Sequence, residues 1–303
     1  GNTLVAHEVG LGKTIIMQAA GMEMKRLGLA RKPLYVVPNS MTEQFAREFK
    51  ELYPAANILA PDTSTMDAAA RNRLWSSITN NDWDAIVIGH SQMTLMPVDP
   101  KTFNNHLQEQ LDLLKTYLQE AKNENGKSQT TKQIEKAIKG LETKLKTGND
   151  LIRQPDTVYW EELGIDAVFV DEADMFKNLI YATKMGSMKG LPNTEGSNRA
   201  FDLFIKVREL SKRTGGRNVV FATGTPVSNS IAETHFMMRY LMHDKLDELG
   251  IAHFDAWAGM YATPNTTLEV PIYGKGMKQS TRFSQFVNMP ELRSLWQQVA
   301  DIA

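Results

Sequence analysis

A glycine-rich stretch near the start of the chain has the residue types of a phosphate-binding loop. The segment AHEVGLGKT, residues 6–14, ends in Gly12, Lys13 and Thr14, as does the pattern G-x-x-x-x-G-K-[ST]. Gly10 and Gly12 would let backbone N–H groups approach phosphate oxygens closely. Lys13 would supply a positive charge for the outer phosphates, and the Thr14 hydroxyl is a suitable ligand for Mg²⁺.

His7 stands where this pattern has its first glycine. Either the match is accidental, or this kind of nucleotide loop does not need that glycine. A strand-like TLVA precedes the loop and a helix-like IIMQAAGMEM follows it, which is the context that phosphate binding requires. A glycine-rich turn with an exposed lysine is the alternative. The predicted ATP-binding residues are Glu8, Val9, Gly10, Leu11, Gly12, Lys13 and Thr14.

Two adjacent acids follow another apolar run, AVFVDEADMF. The carboxyl ends of parallel strands form the edge where α/β sheets bind ligands. Asp171 is suited to hold Mg²⁺, which prefers oxygen ligands, and Glu172 is suited to orient and polarise an attacking water. Alternatively, the two acids could cap the helix that follows.

A third polar segment, FATGTPVSNS, also stands at a predicted strand end. Thr223 and Thr225 flank Gly224, and Pro226 ends the strand. Beside the acids, these hydroxyl groups could sense the nucleotide state through hydrogen bonds. Taken alone, the segment could also be a simple turn.

Short β-branched runs alternate with helix-like stretches along the chain. The candidate strands are 3–6, 33–38, 84–90, 166–173 and 218–226, with a weaker one at 57–61. The predicted helices are about 14–27, 42–52, 68–77, 197–212, 230–242 and 290–302. The inner strands are apolar throughout, as expected of strands covered on both faces. This series predicts an α/β domain with a parallel sheet and right-handed crossovers.

Residues 101–150 interrupt this alternation with two apolar stripes at helical spacing, Leu107, Leu111, Leu114, Leu118 and then Ile134, Ile138, Leu141, Leu145. The break KNENGKSQ between them predicts two antiparallel helices inserted into the α/β domain as a hairpin. Its stripes would satisfy each other, so the hairpin is predicted to be an independent arm. It could be inert, or a contact surface for DNA or another domain. Between 262 and 288, PIYGKGM reads as a turn.

Composition excludes several classes of protein. The 303 residues carry a net charge of −1 and contain no cysteine, so disulfides and thiolate zinc sites are excluded. The chain has no apolar run long enough for a membrane span and no signal-peptide pattern at its start, and we expect a cytoplasmic protein. The abrupt start predicts a piece of a longer protein.

Together, the three polar elements resemble the first RecA-like lobe of Swi/Snf-type DNA translocases, within the superfamily 2 helicases. In that group the loop reads approximately A-D-E-x-G-x-G-K-T, which lacks the first glycine; here His7 replaces the usual acid. DEADMFKN resembles D-E-A-H-x-x-K-N, with Asp174 in place of histidine. The letters DEAD also suggest a DEAD-box RNA helicase, but that group's P-T-R-E-L and S-A-T motifs do not occur here.

Longer segments extend the resemblance. VVPNSMTEQFAREF resembles P-x-S-x-x-x-Q-W-x-x-E, with Phe45 at the aromatic position, and TGTPVSNSIAE resembles T-G-T-P-x-x-N. LYPAANIL, DAIVIGHSQ, TGGRNVVFATGTPVSNS, HFDAWA and RFSQFVNMPEL resemble helicase–methylase proteins of bacterial mobile elements and phages. The resemblance covers nearly the whole chain. It implies a parent protein with a second RecA-like lobe, absent here, and often an adenine-methylase module.

The resemblance implies a RecA-like P-loop domain spanning residues 1–303, with a central mostly parallel sheet and the helical hairpin 101–150 inserted. It assigns the outer phosphates to Lys13, Mg²⁺ to Thr14 and Asp171, and water activation to Glu172. Coupling of nucleotide state to DNA is assigned to Thr223, Gly224 and Thr225. The predicted DNA-facing residues are Pro38, Ser40, Gln44, His90, Ser91, Lys177 and Asn178. Alternatively, the first five of these serve only as strand-end and helix-cap residues.

The implied activity is ATP hydrolysis with Mg²⁺, used for movement on duplex DNA once the second lobe completes the site with its arginines. Alternatively, the lobe is a nucleotide-binding switch or scaffold that recruits partners through the hairpin. A small-molecule kinase would use the same loop, but it would not explain the second and third motifs.

Overall fold

A computed structural model describes residues 1–61, 67–125, 129–149, 157–185, 191–228, 230–269 and 278–303. Its strands are β1 Thr3–Ala6, β2 Pro33–Val37, β3 Ile58–Leu59, β4 Ala85–Gly89, β5 Ala167–Val170, β6 Val219–Ala222, β7 Ala262–Glu269, β8 Lys278–Phe286 and β9 Ala300–Ile302. Its helices are α1 Lys13–Arg26, α2 Thr42–Leu52, α3 Ala68–Asn80, α4 His90–Leu95, α5 Pro100–Asn125, α6 Gln129–Asn149, α7 Asn198–Thr214, α8 Ala232–Leu241, α9 His243–Glu248, α10 Phe254–Tyr261 and α11 Met289–Trp296.

The central sheet has seven strands in the order β3-β4-β2-β5-β6-β1-β9. All its described pairings are parallel, so the carboxyl ends of the strands lie along one edge. The predicted strands are confirmed, including the weak one, β3. Because β1, β6 and β5 are neighbours, the loop after β1 and the polar segments after β5 and β6 meet at one place.

Both faces of the sheet are buried, which explains the continuous apolar runs. Alternate residues point to opposite faces: on β2, Leu34 and Val36 join the larger core with α7 and α8, whereas Tyr35 and Val37 join the smaller core under α1 and α2. Gly21 of α1 lies directly over Tyr35. A β-carbon there would come within 1.8 Å of the Tyr35 hydroxyl oxygen, so this close packing requires glycine.

The hairpin is confirmed as two antiparallel helices, but its predicted independence is wrong. Ion pairs Lys115–Glu142 at 3.5 Å and Lys122–Glu135 at 3.0 Å join α5 and α6 in opposite directions. The inner stripes form one core that also contains four residues of the α/β body, Ile180, Ala182, Phe201 and Ile205. The spacing of apolar residues within a helix shows which of its faces is apolar. It does not show how many other elements pack against that face.

The base of the hairpin docks on α7. The ring of Phe103 meets that of Phe201 edge to face, with 5.8 Å between centroids. His106 Nε2 lies 3.1 Å from Glu209 Oε1, and both side chains are largely buried. The hairpin is therefore fixed to the lobe at its base.

The C-terminal part differs from the prediction of one helix over 290–302. Helix α11 ends at Trp296, and Val299 leads into β9, which pairs in parallel with β1. Three residues have too little β-propensity to predict a strand by themselves. The strand β9 depends on pairing with the exposed edge of β1. Residues 262–269 and 278–286 form an antiparallel pair that the sequence did not predict. The predicted turn PIYGKGM lies outside the described residues.

Among the described residues, no helix combines the length and the apolar character needed to cross a membrane.

Candidate functional site

The glycine-rich loop connects the end of β1 to the start of α1. Gly12 caps the helix with φ 75° and ψ 27°, and Gly10 has φ 93°. Residues with side chains rarely adopt these left-handed conformations, so the two glycines permit the sharp turn. The loop therefore lies against the positive end of the α1 dipole, which favours bound anions.

Lys13 folds back over this loop. Its Nζ donates hydrogen bonds to the carbonyl oxygens of His7, at 2.9 Å, and Glu8, at 3.1 Å. The third motif lies beside it: a β-carbon added to Gly224 would be 3.8 Å from Lys13 Nζ and 3.6 Å from the His7 carbonyl oxygen. The ammonium group is thus held between the loop and the end of β6.

Asp171 and Glu172 follow β5 directly, as predicted. The Asp171 N–H extends the ladder by donating to Val36 O at 2.8 Å. Glu172 then adopts a left-handed conformation, φ 47° and ψ 52°, which costs a non-glycine residue about 1–2 kcal/mol. Its N–H donates to Asp171 Oδ1 at 3.0 Å, so local hydrogen bonds help to hold the turn.

Both carboxyl groups are biased towards their neutral forms. Burial is the main cause that raises the pKa of Asp171; nearby Asp174 raises it further, while the Glu172 N–H bond and Lys13 oppose the change. Burial likewise raises the pKa of Glu172, followed by the charges of Asp171 and Asp174, with Lys13 opposing them. Three acids thus face one lysine, an arrangement that another cation would stabilise.

The second and third motifs are joined by a direct hydrogen bond. Thr223, which is fully buried, donates from Oγ1 to Asp174 Oδ1 at 3.1 Å, and the Thr225 N–H donates to Thr223 Oγ1 at 3.0 Å. Asp174, the departure from the histidine of the family pattern, is therefore the residue that connects the acids to the threonines.

These residues fit ATP and Mg²⁺. The loop offers a helix amino end and an ammonium group to phosphates, and the cluster of partly buried carboxyl groups suits a divalent cation with oxygen ligands. Thr14 lies in the first turn of α1, and Asp171 is at the end of β5. These are the two predicted metal ligands.

The predicted DNA-facing residues divide into two groups. Ser40 and Gln44, after β2, Ser91, after β4, and Asn178 are exposed, and Pro38 is half-buried. Gln44 Nε2 donates to Glu48 Oε1 at 2.7 Å on the surface of α2. These side chains are placed where a ligand could reach them.

The other two, His90 and Lys177, do not have the predicted exposure. The His90 side chain is buried and its Nε2 lies 2.9 Å from the Asp171 carbonyl oxygen. Lys177 Nζ is 3.3 Å from Glu233 Oε1, in a pair whose side chains are 13% and 3% exposed, and it also bonds to Ser228. The side chains of His90 and Lys177 therefore face inward in this structure, and their contact with DNA stays a prediction.

Two contacts at the site were missed by sequence reasoning. The Asn39 side chain accepts a hydrogen bond from Ser91 N at 3.1 Å and bonds to the Ser91 hydroxyl, joining the ends of β2 and β4. His7, which lacked an assigned role, has its Nε2 3.0 Å from Asp301 Oδ2 on β9. The polar pair Asn39-Ser40 directly after β2 was a local signal for the first contact. No local pattern indicated the second contact, because His7 and Asp301 lie far apart along the chain.

Comparison with known proteins gives the class. A family model described as a probable helicase domain matches residues 1–303. The chain belongs to this helicase-domain family. The resemblance to a helicase lobe that the three motifs indicated is thereby confirmed.

Among individual proteins, the chain is similar to Defense against restriction protein B of Escherichia phage P1, with 22% identity over 337 residues, covering 98% of this chain. It spans only 15% of that relative's length. A solved structure, the Sulfolobus solfataricus SWI2/SNF2 ATPase core in complex with dsDNA, aligns with 14% identity and a TM-score of 0.49, covering 100% of this chain and 40% of that one.

Proposed function

We propose that this chain is the ATP-binding lobe of a DNA-dependent ATPase that moves on duplex DNA when joined to a second RecA-like lobe. The observation that carries the proposal is the convergence, at one sheet edge, of a glycine loop, Lys13, two partly buried acids and a buried threonine. Membership of the helicase-domain family is consistent with this use of the edge.

Each group has a distinct role in the proposal. The loop N–H groups and Lys13 bind the phosphates, Thr14 and Asp171 hold Mg²⁺, and Glu172 takes the proton of the attacking water. Bound Mg²⁺ would neutralise charge on the phosphate oxygens. The Thr223–Asp174 hydrogen bond joins the segment of the acids to the third motif. A change at the phosphates would therefore reach the third motif through this bond.

The proposal assigns DNA to the β2 and β4 side of the same edge. Ser40, Gln44 and Ser91 are exposed there, next to the acids but separate from the loop. The net charge of the chain is −1, so binding through this lobe alone should be weak. A second lobe would supply the other half of both sites, including an arginine that contributes about 10³–10⁵ in turnover in comparable enzymes.

Phosphate release tests the proposal. We expect residues 1–303 alone to bind a fluorescent ATP analogue in Mg²⁺ but to hydrolyse ATP negligibly, with or without duplex DNA. A longer form of the protein that includes the second lobe should hydrolyse ATP, and duplex DNA should stimulate it.

Two outcomes would contradict this proposal. Robust DNA-stimulated hydrolysis by residues 1–303 alone would require a catalytic arginine within this chain. Nucleotide binding without DNA-stimulated hydrolysis in the two-lobe form would favour the alternative, a nucleotide-dependent switch or scaffold.

A further inference from the structure

The ends of β4 and β5 are in contact although β2 lies between them. Two strand spacings separate β4 from β5 by about 10 Å. His90, the first residue of α4, bridges this distance, with its Nε2 2.9 Å from Asp171 O. A carbonyl oxygen can only accept a hydrogen bond, so Nε2 carries the hydrogen and donates it.

This bond acts on the peptide group that joins the two acids. The carbonyl oxygen of that group accepts from His90, and its N–H, which belongs to Glu172, donates to Asp171 Oδ1 at 3.0 Å. Both polar ends of one peptide plane are therefore bonded. Rotating the plane would break both bonds and move the two carboxylates relative to each other.

The peptide plane needs such support because of the backbone that follows. Glu172 has φ 47°, a conformation that persists only where the surroundings hold it in place. The Met175 N–H contributes from the other side by donating to Glu172 O at 3.0 Å. His90 supplies a side-chain donor from another part of the sheet directly to the peptide group between the two acids.

The imidazole is itself fixed by packing. His90 is 5% exposed, and its ring meets Phe176 edge to face, with 5.0 Å between centroids and 74° between planes. Burial lowers the pKa of His90, which favours the neutral ring with one donor and one acceptor.

We propose that His90 is a positioning residue that locks the Asp171–Glu172 peptide group and so sets the relative orientation of the two carboxylates. The inference rests on the proposed function for its catalytic consequence, but not for its structural content. It is an alternative to the prediction that His90 contacts DNA.

Amide hydrogen exchange in residues 1–303 tests the structural content without nucleotide, metal or DNA. His90→Leu removes the donor but stays apolar, whereas His90→Gln places an amide N–H near the position of Nε2. We expect exchange in the segment 169–176 to be about tenfold faster in His90→Leu and close to the parent in His90→Gln. Unchanged exchange in His90→Leu would overturn the proposal.

His235→Leu is the matched control. This histidine is buried too, and its Nε2 lies 3.1 Å from a carbonyl oxygen, that of Ala252, in a different part of the lobe. It should lower the melting temperature but leave exchange at 169–176 unchanged. If His90→Leu does not fold, His90→Asn replaces it: the shorter amide cannot reach Asp171, so parent-like exchange in that variant would equally overturn the proposal.

The catalytic consequence is measured in the two-lobe protein. His90→Leu should lower the kcat of ATP hydrolysis by about tenfold or more, with the KM for ATP and the half-saturating DNA concentration within about threefold of the parent, and His90→Gln should restore kcat. A raised DNA requirement with unchanged kcat would show that His90 contacts DNA instead. The proposed function is tested separately by Glu172→Gln. Unchanged hydrolysis in that variant would contradict the proposed function, whereas unchanged kcat in His90→Leu would contradict only the positioning role.

Discussion

The carboxyl edge of the sheet and the helical hairpin are stabilised in different ways, although residue spacing in the sequence predicts both. At the edge, the important side chains are polar, partly buried and mutually bonded, and the backbone adopts left-handed conformations at Gly10, Gly12 and Glu172. In the hairpin the backbone is regular helix, and most of the inner side chains are aliphatic and share one apolar core with the body. We infer that the edge offers strained backbone and partly buried polar groups to a ligand, whereas the hairpin is held together mainly by apolar packing.

The strongest test of this contrast is one acid-to-amide change made in both regions. Glu172→Gln should preserve ATP binding but lower hydrolysis in the two-lobe protein by about 10²–10⁴, because the amide lacks the basic oxygen. The matched change in the hairpin, Glu142→Gln, removes only an exposed ion pair with Lys115 and should leave hydrolysis unchanged. Hydrolysis within about twofold of the parent in Glu172→Gln would remove it as the water-activating residue.

Deleting parts of the hairpin tests whether its base is part of the lobe. Replacing 102–149 with a short Gly/Ser bridge uncovers apolar side chains of the body, among them Phe201 and Ile205, and should lower the free energy of unfolding by about 3–5 kcal/mol. Removing only 119–138 keeps the base but takes Ile134 and Ile138 out of the same core, so it should cost less than the longer deletion, about 1–2 kcal/mol. Chemical denaturation measures both.

Equal losses in these two deletions would show that the tip, rather than the base, supports the lobe. In both, ATP affinity should stay close to that of the parent, since no hairpin residue contacts the loop in the described structure. If DNA affinity falls while ATP affinity holds, the hairpin is a contact surface for DNA.

Sequence reasoning located the edge correctly because its signals are local. A glycine loop after one strand and acids after another meet at one edge of the sheet if the strands are parallel. The βαβ series predicted parallel strands. The same reasoning did not indicate that the side chains of His90 and Lys177 turn inward, to Asp171 and Glu233. Burial of a polar side chain depends on neighbours far along the chain, such as β4 beside β2, which spacing does not show.

Lys13→Ala tests the phosphate-binding role of the carboxyl edge through the affinity for nucleotide rather than through the rate of hydrolysis. The charge-assisted hydrogen bonds lost from the phosphates correspond to about 1.5–3 kcal/mol, so the affinity for a fluorescent ATP analogue in Mg²⁺ should fall by about 10–150-fold. The same change at Lys139, an exposed lysine on α6, is the control and should have no effect. Unchanged affinity in a folded Lys13→Ala protein would exclude this lysine from the site.

The smallest expected effect concerns the junction between the hairpin and the body of the lobe, where Glu209 of α7 meets His106 of α5. The hydrogen bond from His106 is the main cause that lowers the pKa of Glu209 to about 2, and Lys212 adds to it. The folded-state pKa therefore lies below the ordinary value of 4.5, so this carboxylate stabilises the fold fully above that pH. The contribution is lost as the pH falls from 4.5 towards 2, because the unfolded chain takes up the proton first.

Glu209→Gln should remove that part of the acid sensitivity. After allowance for solvent screening, the variant should be less stable by about 1 kcal/mol at pH 7, and its deficit should shrink as the pH falls below 4.5. Urea denaturation of residues 1–303 at a series of pH values measures this, with Glu142→Gln as the exposed control on the same hairpin. A deficit that stays constant down to pH 3 would mean that the Glu209 charge does not hold the base of the hairpin, and that apolar contacts such as Phe103 against Phe201 do so alone.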